Sequence, residues 1–294
     1  MDFKFEPKRS YVKAFQRYLK RRNYREHNDD QKLPYFCTSD FSGLYCIEFQ
    51  SLKGVEFFNK TTTSRYLADC QFYPPTAIAK NADAFEKLRL ENKYYYIKPK
   101  YGAHAKNISV SYGKKIIINQ DSFSGNNPVI VQEEIPSKLQ YGCKVDYRTY
   151  VLYVKVDNKI SVYYYPYHIK RVCTSQVENR EDMASFFSPV DTSNDIVRID
   201  NEEIERSLRN AQSFILSNMP KQNYSKVEFF LVAFDLIEDK YGKFWIMEVN
   251  WDPAFLYNKQ IHSLHQDIIN DIIDATDTYH KTSQIGFNKF KELL

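Results

Sequence analysis

The most restrictive feature of the chain is a pair of apolar runs, Leu-Val-Ala-Phe-Asp-Leu-Ile at 231–237 and Phe-Trp-Ile-Met-Glu-Val-Asn at 244–250, separated by a polar stretch containing Tyr241-Gly242. With those two residues as a hairpin turn, Asp235 stands directly opposite Glu248, and Asn250 shares its face two residues on. A one-residue slip would send Asp235 to the other face, so the register matters. Two carboxylates about 4 Å apart repel by about 4 kcal/mol at an effective dielectric near 20, so the pair needs a cation or a proton. Two readings stay open. One is a hard divalent ion such as Mg²⁺, which takes a few carboxylates and leaves positions for phosphate oxygens. The other is a salt bridge to Lys226, Lys240 or Lys243. Pro253 in the following Trp251-Asp252-Pro253-Ala254 removes a ladder donor and ends the strand.

The rest of the chain reads as strands in runs with few helices. Strand-like segments fall at 94–98, 115–119, 129–135, 147–156 and 160–167, in addition to 227–237 and 244–249. Helical spacing marks 62–72, 82–91, 200–218 and 262–279, and Glu203 three residues after Asp200 suggests a capping box. Residues 183–194 have no period and read as a loop. This order predicts an α+β fold with mainly antiparallel sheets. A chain of 294 residues with 43% apolar content can bury a large core, and 8 Gly and 11 Pro exclude collagen-like or low-complexity architectures. The longest aliphatic–aromatic run, 229–234, is far too short to span a membrane, and the N-terminal residues lack the apolar core of a signal peptide. A cytoplasmic location is expected. Cys37, Cys46, Cys70, Cys143 and Cys173 form an odd set without a CxxC pair, which fits reduced, buried thiols. His262 and His265, without a neighbouring ligand set, read as helix surface.

Eight Lys and Arg residues and no acid lie within 8–25, where Tyr11, Phe15, Tyr18 and Leu19 sit at helical spacing. The stretch reads as an amphipathic helix with a basic face. That face is either simply solvated or a docking surface for an acidic partner. No zinc-finger, RNP-like or Arg-rich pattern supports nucleic acid.

Two further constellations carry charge. In Lys144, Asp146 and Arg148, alternate residues of a strand share a face, which an exposed sheet surface would also produce. Just upstream, 128–136 is an apolar strand running into acids and Pro136, as at a hinge. At 96–108, Lys98 precedes Pro99 and is therefore held extended, projecting toward a small-residue loop whose backbone amides suit phosphate.

The order of these elements resembles the ATP-grasp fold, and in detail the tubulin tyrosine ligase family. The matching stretches are IKPKYGAHAKNI, VIVQEEI, KVDYRTYVLYV, YYYPYHIKR and FDLIEDKYGKFWIMEVNWDPA, spanning 98–254 in the family's order. The resemblance implies two mainly antiparallel lobes enclosing a nucleotide cleft, with a small N-terminal α/β domain at 1–74, a central lobe at 75–134 and a C-terminal lobe at 135–294. It implies that Lys98 holds ATP phosphates and that Gln132, Glu133, Glu134 and Ile135 form the adenine-contacting hinge. Lys144 would face the phosphates, Asp146 the nucleotide, and Arg148 the reacting phosphoryl and carboxylate. Arg171 would meet the substrate carboxyl, with an exposed strand-end arginine as its plain alternative. Asp235, Glu248 and Asn250 would hold Mg²⁺.

The chain departs from the family at Ala105 and Asn107, where glycine is usual, and at 181–194, which replaces a His-Leu-Thr-Asn segment. No metal or phosphate ligand is among the departures. The implied activity is ATP-dependent ligation of a free amino acid to an acidic protein acceptor, such as a tubulin tail, through an acyl phosphate, by a monomer associated with microtubules. The alternatives are an ATP-grasp ligase for a small molecule or a non-tubulin protein, and a nucleotide- or tubulin-binding pseudoenzyme.

Overall fold

The computed structural model describes residues 2–4, 10–26, 36–37, 45–46, 59–101, 107–118, 122–123, 127–177, 195–198, 201–219, 227–250, 253, 255 and 259–294. In chain order the first elements are β1 (Asp2–Lys4), α1 (Ser10–Arg21), β2 (Arg25–Glu26), β3 (Phe36–Cys37), β4 (Tyr45–Cys46) and α2 (Lys60–Tyr66). Next come β5 (Thr76–Ala79), α3 (Ala82–Glu86), β6 (Tyr94–Pro99), β7 (Ser109–Tyr112), β8 (Lys115–Ile118) and β9 (Val129–Glu133). Then follow β10 (Leu139–Gln140), β11 (Cys143–Val156), β12 (Lys159–Tyr164), β13 (Tyr167–Gln176) and β14 (Asp195–Arg198). The chain closes with α4 (Glu202–Leu216), β15 (Val227–Glu238), β16 (Phe244–Asn250), α5 (Lys259–Thr282) and β17 (Lys291–Glu292).

These strands make two mostly antiparallel sheets, so the fold is mixed α+β. The larger runs β14-β13-β11-β15-β4-β3-β1-β2, with β10 and β12 on β11, β16 on β15, and β17 on β12. The smaller runs β5-β9-β6-β7-β8 and is drawn from 76–118 and 129–133. The short N-terminal strands pair in parallel and extend the larger sheet through β4 on β15.

The long strands β11 and β15 are apolar on both faces because both faces are covered. Tyr150, Leu152, Val154, Phe229 and Leu231 pack under α1 and α5, while Val151, Tyr153, Phe230, Val232 and Phe234 pack under α4. Helix α1 buries Phe15, Tyr18 and Leu19 as its spacing predicts; the Tyr11 side chain lies outside the described residues. Lys155 and Glu228 stand opposite each other on these strands as a fully buried ion pair at 2.8 Å.

Several expectations are corrected. The first helix after the basic one ends at Tyr66, and α3 at Glu86, both shorter than their periodicity suggests. Helix α4 is capped by Asn201, whose side chain accepts from the Glu203 N–H at 2.8 Å, so the cap lies one residue beyond Asp200. His265 is no surface residue. It packs on the Phe255 ring at 4.1 Å and bonds the Tyr150 hydroxyl at 2.7 Å, and burial, with Arg148 and His262 nearby, pushes its pKa down to about 3. Strands β5 and β7, of four residues each, and most of β13, which is largely polar, are not among the segments expected from sequence. The expected loop at 183–194 lies outside the described residues.

The C-terminal segment is clamped to α5 by one carboxylate. Buried Asp271 accepts the N–H groups of Asn288, Lys289 and Phe290 at 2.8, 2.9 and 2.9 Å. Removing it leaves three donors without their acceptor, so Asp271→Ala is expected to cost about 3 kcal/mol in urea unfolding. A loss below about 1 kcal/mol would show that the clamp contributes little.

Candidate active site

The expected pairing of Asp235 with Glu248 holds, although the turn differs. The hairpin loop has three residues, Lys240, Tyr241 and Gly242, closed by the Asp239 N–H donating to the Lys243 carbonyl at 2.9 Å. Gly242 at φ 84° supplies the left-handed residue that such a loop requires. A three-residue loop alone would shift the register by one. A β-bulge restores it: Leu236 pairs with Ile246 and Asp235 with Glu248, leaving Met247 unmatched.

Across the sheet, Arg148, Asp235 and Glu248 form one direct cross-strand row, and Asp146 pairs with Arg171 in the next. Arg148 grips Asp235 with both ends of its fork, Nε to Oδ1 at 2.8 Å and Nη2 to Oδ2 at 2.9 Å. Arg171 adds Nη2 to Asp235 Oδ1 at 3.2 Å while its Nε bonds Asp146, and Asn250 Nδ2 donates to Asp235 Oδ2 at 3.1 Å. Burial would raise the Asp235 pKa, but the two guanidinium groups outweigh it and hold the carboxyl well below the usual carboxylate range. Both arginine side chains are mostly buried, so neither the exposed-face reading of 144–148 nor the strand-end reading of Arg171 describes the site.

Lys240 and Lys243 are not the partners of these carboxylates. Lys243 donates to the Gln71 carbonyl at 2.7 Å, and Lys240 lies over the Tyr241 ring; Lys226 lies outside the described residues. Glu248 pairs instead with Lys60 of α2, Nζ to Oε1 at 3.3 Å. Sequence reasoning missed Lys60. Its only local signal is its place as the first residue after the Asn59 cap, whose side chain accepts from the Thr62 N–H at 2.9 Å.

Lys98 comes from the other sheet. Its ammonium donates to Gln132 Oε1 at 2.6 Å and to the Met247 carbonyl at 3.4 Å, so the bulge residue supplies an acceptor facing the second sheet. Burial pushes the Lys98 pKa down to about 8 against the opposing pull of Glu248. Lys144 donates to the Tyr96 hydroxyl at 2.7 Å and ion-pairs with Glu134, which ties it to the end of β9 rather than to Arg148.

The expected hinge has few spare backbone groups. The Glu133 N–H donates to the Pro75 carbonyl at 2.9 Å and the Glu134 N–H to the Tyr94 carbonyl at 2.8 Å. Pro75 has no N–H to return, so the Glu133 carbonyl lacks that ladder partner. Among the described residues, the Ile135 N–H makes no hydrogen bond. The strand end therefore keeps one acceptor and, two residues on, one donor. Glu133 itself binds Lys93 at 2.9 Å through its side chain.

Ala105, in the expected phosphate loop, and the segment 181–194 lie outside the described residues. Among the described residues, no cluster of three His, Cys, Asp or Glu side chains could hold a metal. Among them, no helix is long and apolar enough to cross a membrane, and Cys70, Cys143 and Cys173 form no disulfide. A comparison of the sequence with known protein families and with curated proteins finds no match in either.

Proposed function

We propose that this protein is an ATP-dependent carboxylate–amine ligase of ATP-grasp type, joining an amino acid to an acidic protein acceptor. The observation that carries the reading is the meeting of Lys98, from the smaller sheet, with the bulged hairpin that aligns Asp235, Glu248 and Asn250 in the larger. The spare Glu133 carbonyl and Ile135 N–H match the acceptor and donor that an adenine edge requires.

Glu248, which has only Lys60 as a partner among the described residues, is the carboxylate open to a hard divalent cation; Asp235 would join it only by giving up contacts to Arg148 and Arg171, and Asn250 by turning its amide oxygen toward the ion. Such a cation would neutralise phosphate charge during transfer. Lys98 would bind the phosphates, and Arg148 and Arg171 would orient the acceptor carboxylate and stabilise charge as the γ-phosphoryl moves onto its oxygen. That step breaks the bond from the γ-phosphorus to the bridging oxygen and releases ADP. The amine then attacks the acyl carbon, inorganic phosphate leaves, and the amine's proton passes to solvent or phosphate. The basic face of α1, with exposed Lys13, Arg17, Lys20 and Arg21, would draw an acidic acceptor.

Purified protein given Mg-ATP, an acidic acceptor such as tubulin, and a panel of amino acids is expected to release ADP only when an amino acid is present, and to add one residue's mass to the acceptor. No amino-acid-dependent turnover across the panel would defeat the ligase reading. Saturable Mg-ATP binding without turnover would favour a nucleotide-binding pseudoenzyme.

A further inference from the structure

A pocket of about 280 Å³ lies between the β11–β12 hairpin and the C-terminal end of α5, away from the site described above. Strand β11 turns into β12 through Asp157 and Asn158, whose φ angles of 47° and 63° make the left-handed two-residue turn that such a hairpin favours. Next to the turn, Val156 stands opposite Lys159 and Val154 opposite Ser161, so these side chains share the face that α5 covers. Tyr279 in the last turns of α5, with Ser283 and Ile285 beyond the helix end, completes the lining.

The pocket is aliphatic at Val154, Val156 and Ile285, and it carries one carboxylate and one ammonium, Asp157 and Lys159. Among the described residues, neither charged side chain makes a hydrogen bond or an ion pair. Burial, together with the Asp157 carboxylate, pushes the Tyr279 pKa up, so that carboxylate lies near the Tyr279 hydroxyl. The lining thus has no net charge but offers both signs. Val154 is six residues along β11 from Arg148, about 20 Å in an extended strand.

We infer that this pocket binds a free α-amino acid with an aliphatic side chain, as a second site separate from the candidate active site. Such a molecule carries an ammonium for Asp157 and a carboxylate for Lys159, and its side chain covers Val154, Val156 and Ile285. A phosphate would meet a single lysine beside an opposing carboxylate, and a metal ion a single carboxylate beside a lysine, so neither matches the lining. The volume holds one amino acid and sits just below the range of drug-sized ligand pockets. Nothing in this chemistry depends on the ligase reading.

The test titrates the full chain, without ATP, with L-leucine up to about 20 mM, a range that covers a weak, open site. Saturation-transfer NMR of the leucine methyl groups is expected to show saturable binding. Asp157→Asn removes the carboxylate and keeps a residue that accepts the left-handed backbone, while Lys159→Met removes the ammonium and keeps the stem. Each should weaken leucine by about fivefold or more, with an unchanged circular dichroism spectrum. Isocaproate and isoamylamine, which each lack one of leucine's two charges, should compete poorly in the parent chain. The proposal is overturned if leucine shows no saturable binding, if either variant binds it as tightly as the parent, or if the two singly charged analogues compete as well as leucine. Binding lost in Arg171→Ala but kept in Asp157→Asn would put leucine in the candidate active site and overturn the second site too.

Discussion

Replacing Asp235 with asparagine is expected to abolish amino-acid-dependent ADP release and also to lower the unfolding free energy by about 3 kcal/mol, whereas Glu248→Gln is expected to abolish the turnover alone. The contrast follows from how each carboxylate is held. Asp235 is the shared anchor of two mostly buried arginines, and its loss leaves both guanidinium groups short of a counter-charge in a poorly solvated place. Glu248 has one lysine partner, at 3.3 Å, and a side chain 31% exposed, so the replacing amide can turn to water and little of the pair's energy is at stake. Urea unfolding of the two variants beside an ADP-release assay separates the roles. Wild-type turnover in Glu248→Gln would remove this residue from the chemistry. Unchanged stability in Asp235→Asn would mean that the arginines do not depend on it.

The candidate site was legible wherever a residue's neighbours along the strand decide its direction. The alternation in 144–148 and the apolar runs around Asp235 and Glu248 predict which side chains share a face, and those faces are the ones observed. The Asp235–Glu248 register was reached by a different route from the one the sequence suggests. A three-residue loop and a bulge at Met247 offset each other, and nothing in Trp-Ile-Met-Glu marks which residue will be left unpaired. Contacts between distant segments were not legible. Lys60 reaches Glu248 across 188 positions, and Lys144 reaches the Tyr96 hydroxyl across 48. His265 illustrates the same limit, because the Tyr150 hydroxyl and Phe255 ring that make it a core residue belong to other elements. Helix ends were misplaced for a local reason: asparagine caps at Asn59, Asn81 and Asn201 fix the starts, and the apolar period continues past the ends.

Lys98 should give the protein two opposite responses to alkaline pH. Its folded-state pKa of about 8 lies below the ordinary lysine value of 10.5, so between those limits the unfolded chain holds the proton more tightly than the folded one. Stability from this group therefore rises as pH climbs through that window. A gap of roughly 2.5 pH units corresponds to about 3 kcal/mol. Phosphate binding needs the charged form, so Mg-ATP affinity should fall by up to about tenfold per pH unit above 8, and binding near that pH should take up a proton. Lys98→Met should flatten both trends, with an unfolding free energy that no longer gains from alkali and a weaker ATP affinity that no longer varies over the same range. Urea melts between pH 7 and 10, and calorimetric titrations with Mg-ATP in two buffers of different ionisation enthalpy, measure the two effects independently. Affinity that stays level from pH 7.5 to 9.5 in the parent chain would show that the Lys98 ammonium is not what receives the phosphates, whatever the fate of its stabilising contribution.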